Sequence, residues 1–263
     1  MPRFAANLSL LFTEEPFLDR FAAAARAGFR AVEFLFPYAF DPAEIRARCE
    51  AAGLGLALFN TPAGDWEAGE RGCAAIPGRE ARFAADLERA IAVAETLRPG
   101  AIHIMAGLAE GVAARKTFLA NLDRACARAP DQLFTIEPIN ARDMPGYHLS
   151  RSDDARAVIE AVGAPNLKLQ LDLYHCQIME GDLTRRIEAL ATVLGHVQVA
   201  GVPDRHEPDS GELAFAHLMR VLDRVGYEGW VGCEYHPAGR TEDGLSWLAP
   251  YRDRRVGAAT PQS

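Results

Sequence analysis

Four times in this chain an apolar run that reads as a buried strand stops on an oxygen-bearing side chain. Leu133 to Ile136 stops on Glu137, Leu167 to Leu171 on Asp172, His196-Val197 on Gln198, and Trp230 to Cys233 on Glu234. Pro138 follows the first of them and, lacking an N–H, cannot extend a sheet ladder. The intervals between the four residues are 35, 26 and 36. A strand, a helix and two loops take roughly 30 residues, so the spacing predicts four polar groups at the same end of four successive parallel strands. Any one of these acids alone reads equally well as an ion-pair partner of an arginine. Three carboxylates and an amide converging in a buried place need a cation. Oxygen donors select a hard one, Mg²⁺ or Mn²⁺.

The rest of the chain fits that frame. Phe4 to Leu8, Ala31 to Leu35, Leu54 to Phe59 and Ala101 to Met105 read as four earlier strands. Helical patterns cover Glu15 to Ala27, Asp41 to Ala52, Arg79 to Leu97, Ala113 to Ala129, Ser152 to Val162, Asp182 to Leu194 and Leu213 to Val225, and Gly244 to Trp247 begins a closing helical turn. Asp41-Pro42-Ala43-Glu44 is a helix start, and Ser152-Asp153-Asp154 reads as another cap. Eight strands alternating with helices predict an α/β fold with parallel pairing, a (β/α)₈ TIM barrel, and 263 residues match its usual size of about 250. An open doubly wound sheet would bring a glycine-rich phosphate loop, and none is present. We expect residues 1–255 to form a single domain and 256–263 a disordered tail. The stretches 60–78 and 141–150 have no helical period and read as functional loops, the first as a lid carrying Trp66.

Side chains alternate along strands. Thr135 shares the parity of Glu137, Lys168 and Gln170 that of Asp172, His196 that of Gln198, and Gly232 that of Glu234. The same side of every strand is polar, which predicts a polar barrel interior leading up to the four strand ends. Glu33 closes the second strand. His103 and His196 lie within strand interiors, where core histidines with satisfied partners are common.

Net charge is −8 with only two lysines, which argues against nucleic-acid or anionic-membrane partners, since both need a basic surface. No run approaches the roughly 20 apolar residues of a membrane span, and the N-terminus carries no apolar signal core. Five scattered cysteines without a CxxC suit a reducing, cytoplasmic setting. A homo-oligomer is compatible with all of this.

Several motifs carry a family likeness. Asn7-Leu8-Ser9, Val32-Glu33-Phe34, Pro62-Ala63-Gly64-Asp65-Trp66, Gly69-Glu70-Arg71-Gly72, Ile76-Pro77-Gly78-Arg79-Glu80, Ile136-Glu137-Pro138-Ile139-Asn140, Asp172-Leu173-Tyr174-His175 and Gly232-Cys233-Glu234-Tyr235 resemble the hydroxypyruvate isomerase family of xylose-isomerase-like barrels, over about residues 3 to 252. The resemblance implies a divalent ion held by Glu137, Asp172, Gln198 and Glu234, with Glu137 and Glu234 as the acid/base pair. It also implies interconversion of hydroxypyruvate and tartronate semialdehyde through an enediolate. Met1 to Asn7, Leu56 to Thr61 and Ala200 to Pro208 look closer to the related 2-oxo-tetronate isomerases, and His236 stands where relatives often carry lysine. A small anionic 2-oxo or hydroxy acid calls for a cationic clamp. Arg205 is the first candidate and Arg71 the second, with His175 as a hydrogen-bond donor. Cys176 and Cys233 lack the neighbouring base of a nucleophile. A ketose 3-epimerase, which usually has histidine where Gln198 stands, a DNA-repair phosphodiesterase with a histidine-rich three-metal cluster, and a non-catalytic metal-stabilised barrel are the competing readings.

Overall fold

The computed structural model describes residues 2–252. Eight parallel strands close into one barrel, each hydrogen-bonded to its sequence neighbours and β1 to β8. The strands are β1 Arg3–Asn7, β2 Ala31–Glu33, β3 Gly55–Asn60, β4 Ala101–His103, β5 Phe134–Ile136, β6 Leu167–Asp172, β7 Leu194–Val199 and β8 Trp230–Cys233. The outer helices are α1 Arg20–Arg26, α2 Pro42–Ala52, α3 Glu80–Leu97, α4 Gly111–Arg128, α5 Ser152–Val162, α6 Leu173–Met179, α7 Leu183–Leu190, α8 Phe215–Arg224 and α9 Ala249–Arg252.

The ends of α2 follow from its sequence. Asp41 Oδ1 accepts from the Ala43 N–H at 2.9 Å, Pro42 needs no partner for a missing N–H, and Gly53 ends the helix at φ +65°. Other ends differ from expectation. Ser152 is the first residue of α5 rather than its cap. The acceptor is Glu180, which takes the Ser152 N–H at 2.8 Å and hydroxyl at 3.1 Å. A carboxylate from another element satisfies the free N–H as well as a local one would. The first helix begins later than expected, because the chain leaves Pro16 as a 3-10 turn, Phe17–Asp19, before α1. The helix expected over Asp182 to Leu194 stops at Leu190 and gives way to a 3-10 turn that feeds β7. The closing turn is 3-10 from Thr241 to Leu248, followed by α9. α6 is an element the sequence reading did not contain. The tail beyond residue 252 lies outside the described residues.

The core sits between barrel and helices, with Phe34, Phe59, Phe83, Phe118 and Phe134 all fully buried. Inside the barrel, Ala5, Ala31 and Ala57 close the lower end together with Trp230. Above them the interior turns polar: Thr135, Gln170, His196 and Gln198, which the alternation placed inward, are buried, as are Asn7, Glu33 and His103, whereas Lys168 of the same parity is only half-buried and donates to the Thr192 carbonyl. Register places Asn7 beside Glu33, His103 beside Thr135, Gln170 beside His196 and Asp172 beside Gln198. All five cysteines are free. No helix among the described residues is long and apolar enough to cross a membrane.

Candidate active site

The polar interior opens at the C-terminal ends of the strands. Glu137 follows β5 directly, Asp172 ends β6, Gln198 lies in β7 and Glu234 follows β8; all four are buried. Glu137 Oε1 and Asp172 Oδ2 have no hydrogen-bond partner. Burial, reinforced by the charges of Glu234 and Asp172, holds the Glu137 carboxyl well above the usual carboxylate range. Burial likewise pushes Asp172 up to about 6 and Glu234 up to about 8, although the Arg205 guanidinium pulls both the other way. A buried cluster of acids with two unpartnered oxygens has the chemistry to hold a cation. Ligand atoms of Glu137, Asp172 and His175 all lie within 4.8 Å of one another.

Each member is held by a different device. Asp172 caps α6, its Oδ1 accepting from the Tyr174 N–H at 2.8 Å, which leaves Oδ2 facing the centre. That double duty is why the helix starts on Leu173, directly after the strand's last residue. Gln198 donates to Glu33 Oε1 at 2.8 Å and accepts from Gln170 at 2.6 Å; Gln170 in turn accepts from the Thr135 hydroxyl at 3.0 Å. Its carbonyl oxygen keeps a second lone pair for a ligand. Glu33 also receives His196 Nε2 at 2.6 Å and Asn7 Nδ2 at 3.1 Å, and Asn7 reaches Glu234 Oε1 at 3.4 Å. Glu33 therefore anchors two strand-end groups at once. Gly232, in register with Gln198, leaves the space this carboxylate fills: a Cβ there would lie 2.3 Å from both Glu33 oxygens. Gly232→Ala should lower the midpoint of urea unfolding by the equivalent of about 1–3 kcal/mol, the usual cost of overpacking.

Arg205 reaches in from the loop after β7. Its Nη2 lies 2.9 Å from Glu234 Oε2 and 3.6 Å from Asp172 Oδ2, and its guanidinium stacks 4.9 Å from the Tyr174 ring centre. Its backbone is held at φ +56°, a conformation costly for a side chain of this size. The His236 N–H fixes that backbone by donating to the Arg205 carbonyl at 2.8 Å. His175, on α6, places Nε2 3.8 Å from Glu137 Oε1 and 3.6 Å from Asp172 Oδ2. His103 Nδ1 is 3.8 Å from Glu137 Oε2 on the other side, and burial holds its ring neutral, down to about 3.

Over this floor lies a cavity of about 600 Å³ whose walls include Glu137, His175, Arg205, Glu234, Asp143, His236, Phe36, Trp66 and Arg71. Arg71 lies 3.7 Å from the Trp66 ring centre and donates to the Trp66 and Glu70 carbonyls, so the expected lid loop contributes a charge to the cavity wall. Asn7, Asn140 and Asp143 belong to this site, yet the sequence reading gave them no role. The only signal for them was their place in the quoted motifs or, for Asp143, in the loop after β5.

Residues 21–251 match the xylose isomerase-like TIM barrel family model. The chain belongs to this family. It is 55% identical over 260 residues to a 2-oxo-tetronate isomerase of Cupriavidus necator, covering 97% of this chain and all of that one. It is 45% identical to the hydroxypyruvate isomerase of Escherichia coli over 96% of this chain and all of that one. Among solved structures, one from Brucella melitensis described as an AP endonuclease, family 2, superposes with a TM-score of 0.94 at 52% identity, over 96% of this chain and all of that one. An L-ribulose 3-epimerase superposes at 0.75 with 23% identity, over 98% of this chain and 89% of that one, a likeness of fold alone. The protein is an enzyme of the isomerase class, with relatives so named across its whole length.

Proposed function

We propose that this isomerase moves the carbonyl of a short 2-oxo acid from C2 to C3, with a four-carbon 2-oxo-tetronate as its preferred substrate. The observation that carries this is a buried set of three carboxylates, two of which, Glu137 and Glu234, line a cavity that Arg205 and His175 also line. The cavity of about 600 Å³ has room beyond three carbons, and a named 2-oxo-tetronate isomerase shares 55% of its residues with this chain. Hydroxypyruvate, giving tartronate semialdehyde, is the second reading, supported by the 45% identity to an enzyme of that name.

The residues divide the work as follows. Arg205 binds the substrate carboxylate, its planar fork suited to two parallel hydrogen bonds. His175 donates to a substrate oxygen. Glu137, Asp172, Gln198 and Glu234 would hold a Mg²⁺ or Mn²⁺ ion, which when bound supplies the positive charge that acidifies the C–H beside the carbonyl. One of Glu137 and Glu234 removes the C3 proton and the other delivers a proton to C2, so that the carbonyl passes through an enediolate to the neighbouring carbon. Trp66 and Phe36, whose ring centres lie 5.8 Å apart, shield the cavity from water. The reaction needs no nucleic acid, membrane or redox cofactor, and we place the enzyme in the cytoplasm.

The test is proton NMR in D₂O with 2-oxo-tetronate and hydroxypyruvate in parallel. The expected result is deuterium exchange at C3 and appearance of the 3-oxo isomer, faster with the four-carbon acid and abolished by EDTA. Faster turnover of hydroxypyruvate moves the substrate to the second reading. Exchange at C3 of a ketohexose, without carbonyl migration, overturns the proposal in favour of an epimerase.

A further inference from the structure

His175 can serve the site in two opposed ways. As a ligand it would give the cation a nitrogen lone pair from Nε2; as a substrate contact it would offer Nε2–H. Its neighbours decide between them. Asn140, fully buried near the start of the loop that leaves β5, has an amide oriented twice over. Its Oδ1 accepts from the Asp143 backbone N–H at 2.7 Å, and its Nδ2 faces the Asp143 Oδ2 at 3.0 Å. An N–H can only donate and a carboxylate oxygen accepts, so the amide cannot be turned round. Asp143 is itself fixed by the Tyr174 hydroxyl, 2.8 Å from the same oxygen. The second hydrogen on Asn140 Nδ2 then points at His175 Nδ1, 2.7 Å away.

We propose that Asn140 is a positioning residue that holds His175 as its Nε2–H tautomer, so that the ring presents a hydrogen-bond donor to the substrate and withholds a ligand nitrogen from the cation. Nδ1 must accept from Asn140. The doubly protonated ring is excluded by the same contact, because it would set two donors face to face. The single ring proton therefore sits on Nε2, which looks toward Glu137 Oε1 and Asp172 Oδ2, the two buried oxygens without partners. The donor set left to the cation is then oxygen throughout, which suits a hard ion and denies zinc the imidazole nitrogen it favours. A tautomer set by the bond on the far nitrogen is the usual way a histidine is committed to one role.

The inference rests on the reading of His175 as a substrate contact, but its proof does not need substrate. Long-range ¹H–¹⁵N correlation spectra of the Mg²⁺-loaded protein, with the ring assigned by its loss in His175→Gln, should show an unprotonated Nδ1 and a protonated Nε2. In Asn140→Asp the carboxylate accepts from the ring, so the pattern should reverse, and affinity for Zn²⁺ relative to Mn²⁺ should rise about tenfold. Should that variant not fold, Asn140→Ala should show both tautomers where the wild type shows one. A wild-type ring protonated at Nδ1, or a variant with the wild-type pattern, overturns the proposal. Silence toward 2-oxo acids with the expected spectrum would remove the assigned reaction and leave the tautomer assignment standing.

Discussion

Glu137→Gln and Glu234→Gln should each lower kcat by about 10²–10⁴-fold, the range that a positioned general acid or base contributes. The amide keeps the shape and one ligand oxygen but can neither take nor return a proton. The two variants should nonetheless differ in what survives. Glu234 is the residue that Arg205 contacts at 2.9 Å. Its replacement frees the guanidinium and should weaken substrate binding as well, seen as a raised KM. Glu137 Oε1 carries no hydrogen bond, so its replacement should leave KM nearly unchanged. C3 deuterium exchange measured apart from product formation completes the comparison. Whichever glutamate takes the C3 proton, its Gln variant stops exchange; the other variant still exchanges C3 but makes no product. Near-normal turnover in both variants would sink the acid/base assignment.

The part of this site legible in the sequence is the part set by strand geometry. An apolar strand ending in an oxygen-bearing side chain, repeated at intervals that each fit one βα unit, points to both the barrel and the ring of Glu137, Asp172, Gln198 and Glu234 at its mouth, because strand alternation leaves the chain little choice of which side they face. The same alternation made Thr135, Gln170 and His196 interior residues before their partners were known. What could not be read is what depends on long-range meeting. α6 is seven residues long and follows β6 with no intervening loop, its N-cap being the strand's last residue, so no periodic signal announces it, yet it carries His175. Glu180 caps α5 across 28 positions of sequence. Gln198 looked like a ligand by position. That its amide is held between Gln170 of the neighbouring β6 and Glu33 of β2, a strand not paired with β7, depends on the closed barrel bringing β2 across its interior.

Removing divalent cations from the protein should make its stability fall as pH rises from about 6.5 to 8, above the range in which the buried neutral rings of His103 and His175 act with the opposite sign. The sign follows from the acids. Glu137 is held above the ordinary carboxylate range, Asp172 is pushed up to about 6 and Glu234 up to about 8, in each case chiefly by burial. The folded chain thus binds protons that the unfolded chain has already released, and stability is lost as pH climbs from the unfolded values through the folded ones. Most small proteins gain or hold stability over this range, so the slope itself is diagnostic. Mg²⁺ or Mn²⁺ should raise the melting temperature far more at pH 8 than at pH 5.5, because only the ionised set is uncompensated. Arg205 supplies a partial counter-charge, 2.9 Å from Glu234 and 3.6 Å from Asp172. Arg205→Gln should therefore steepen the loss in EDTA, by several degrees at pH 8 and little at pH 5.5. Without Arg205 to compete for Asp172 and Glu234, the same variant should also bind Mn²⁺ more tightly, while KM for a 2-oxo acid rises at least about tenfold through loss of the carboxylate partner. A melting temperature in EDTA that is flat or rising between pH 6.5 and 8 would mean that the three carboxylates are already compensated in the protein, and the case for a resident cation would go with it.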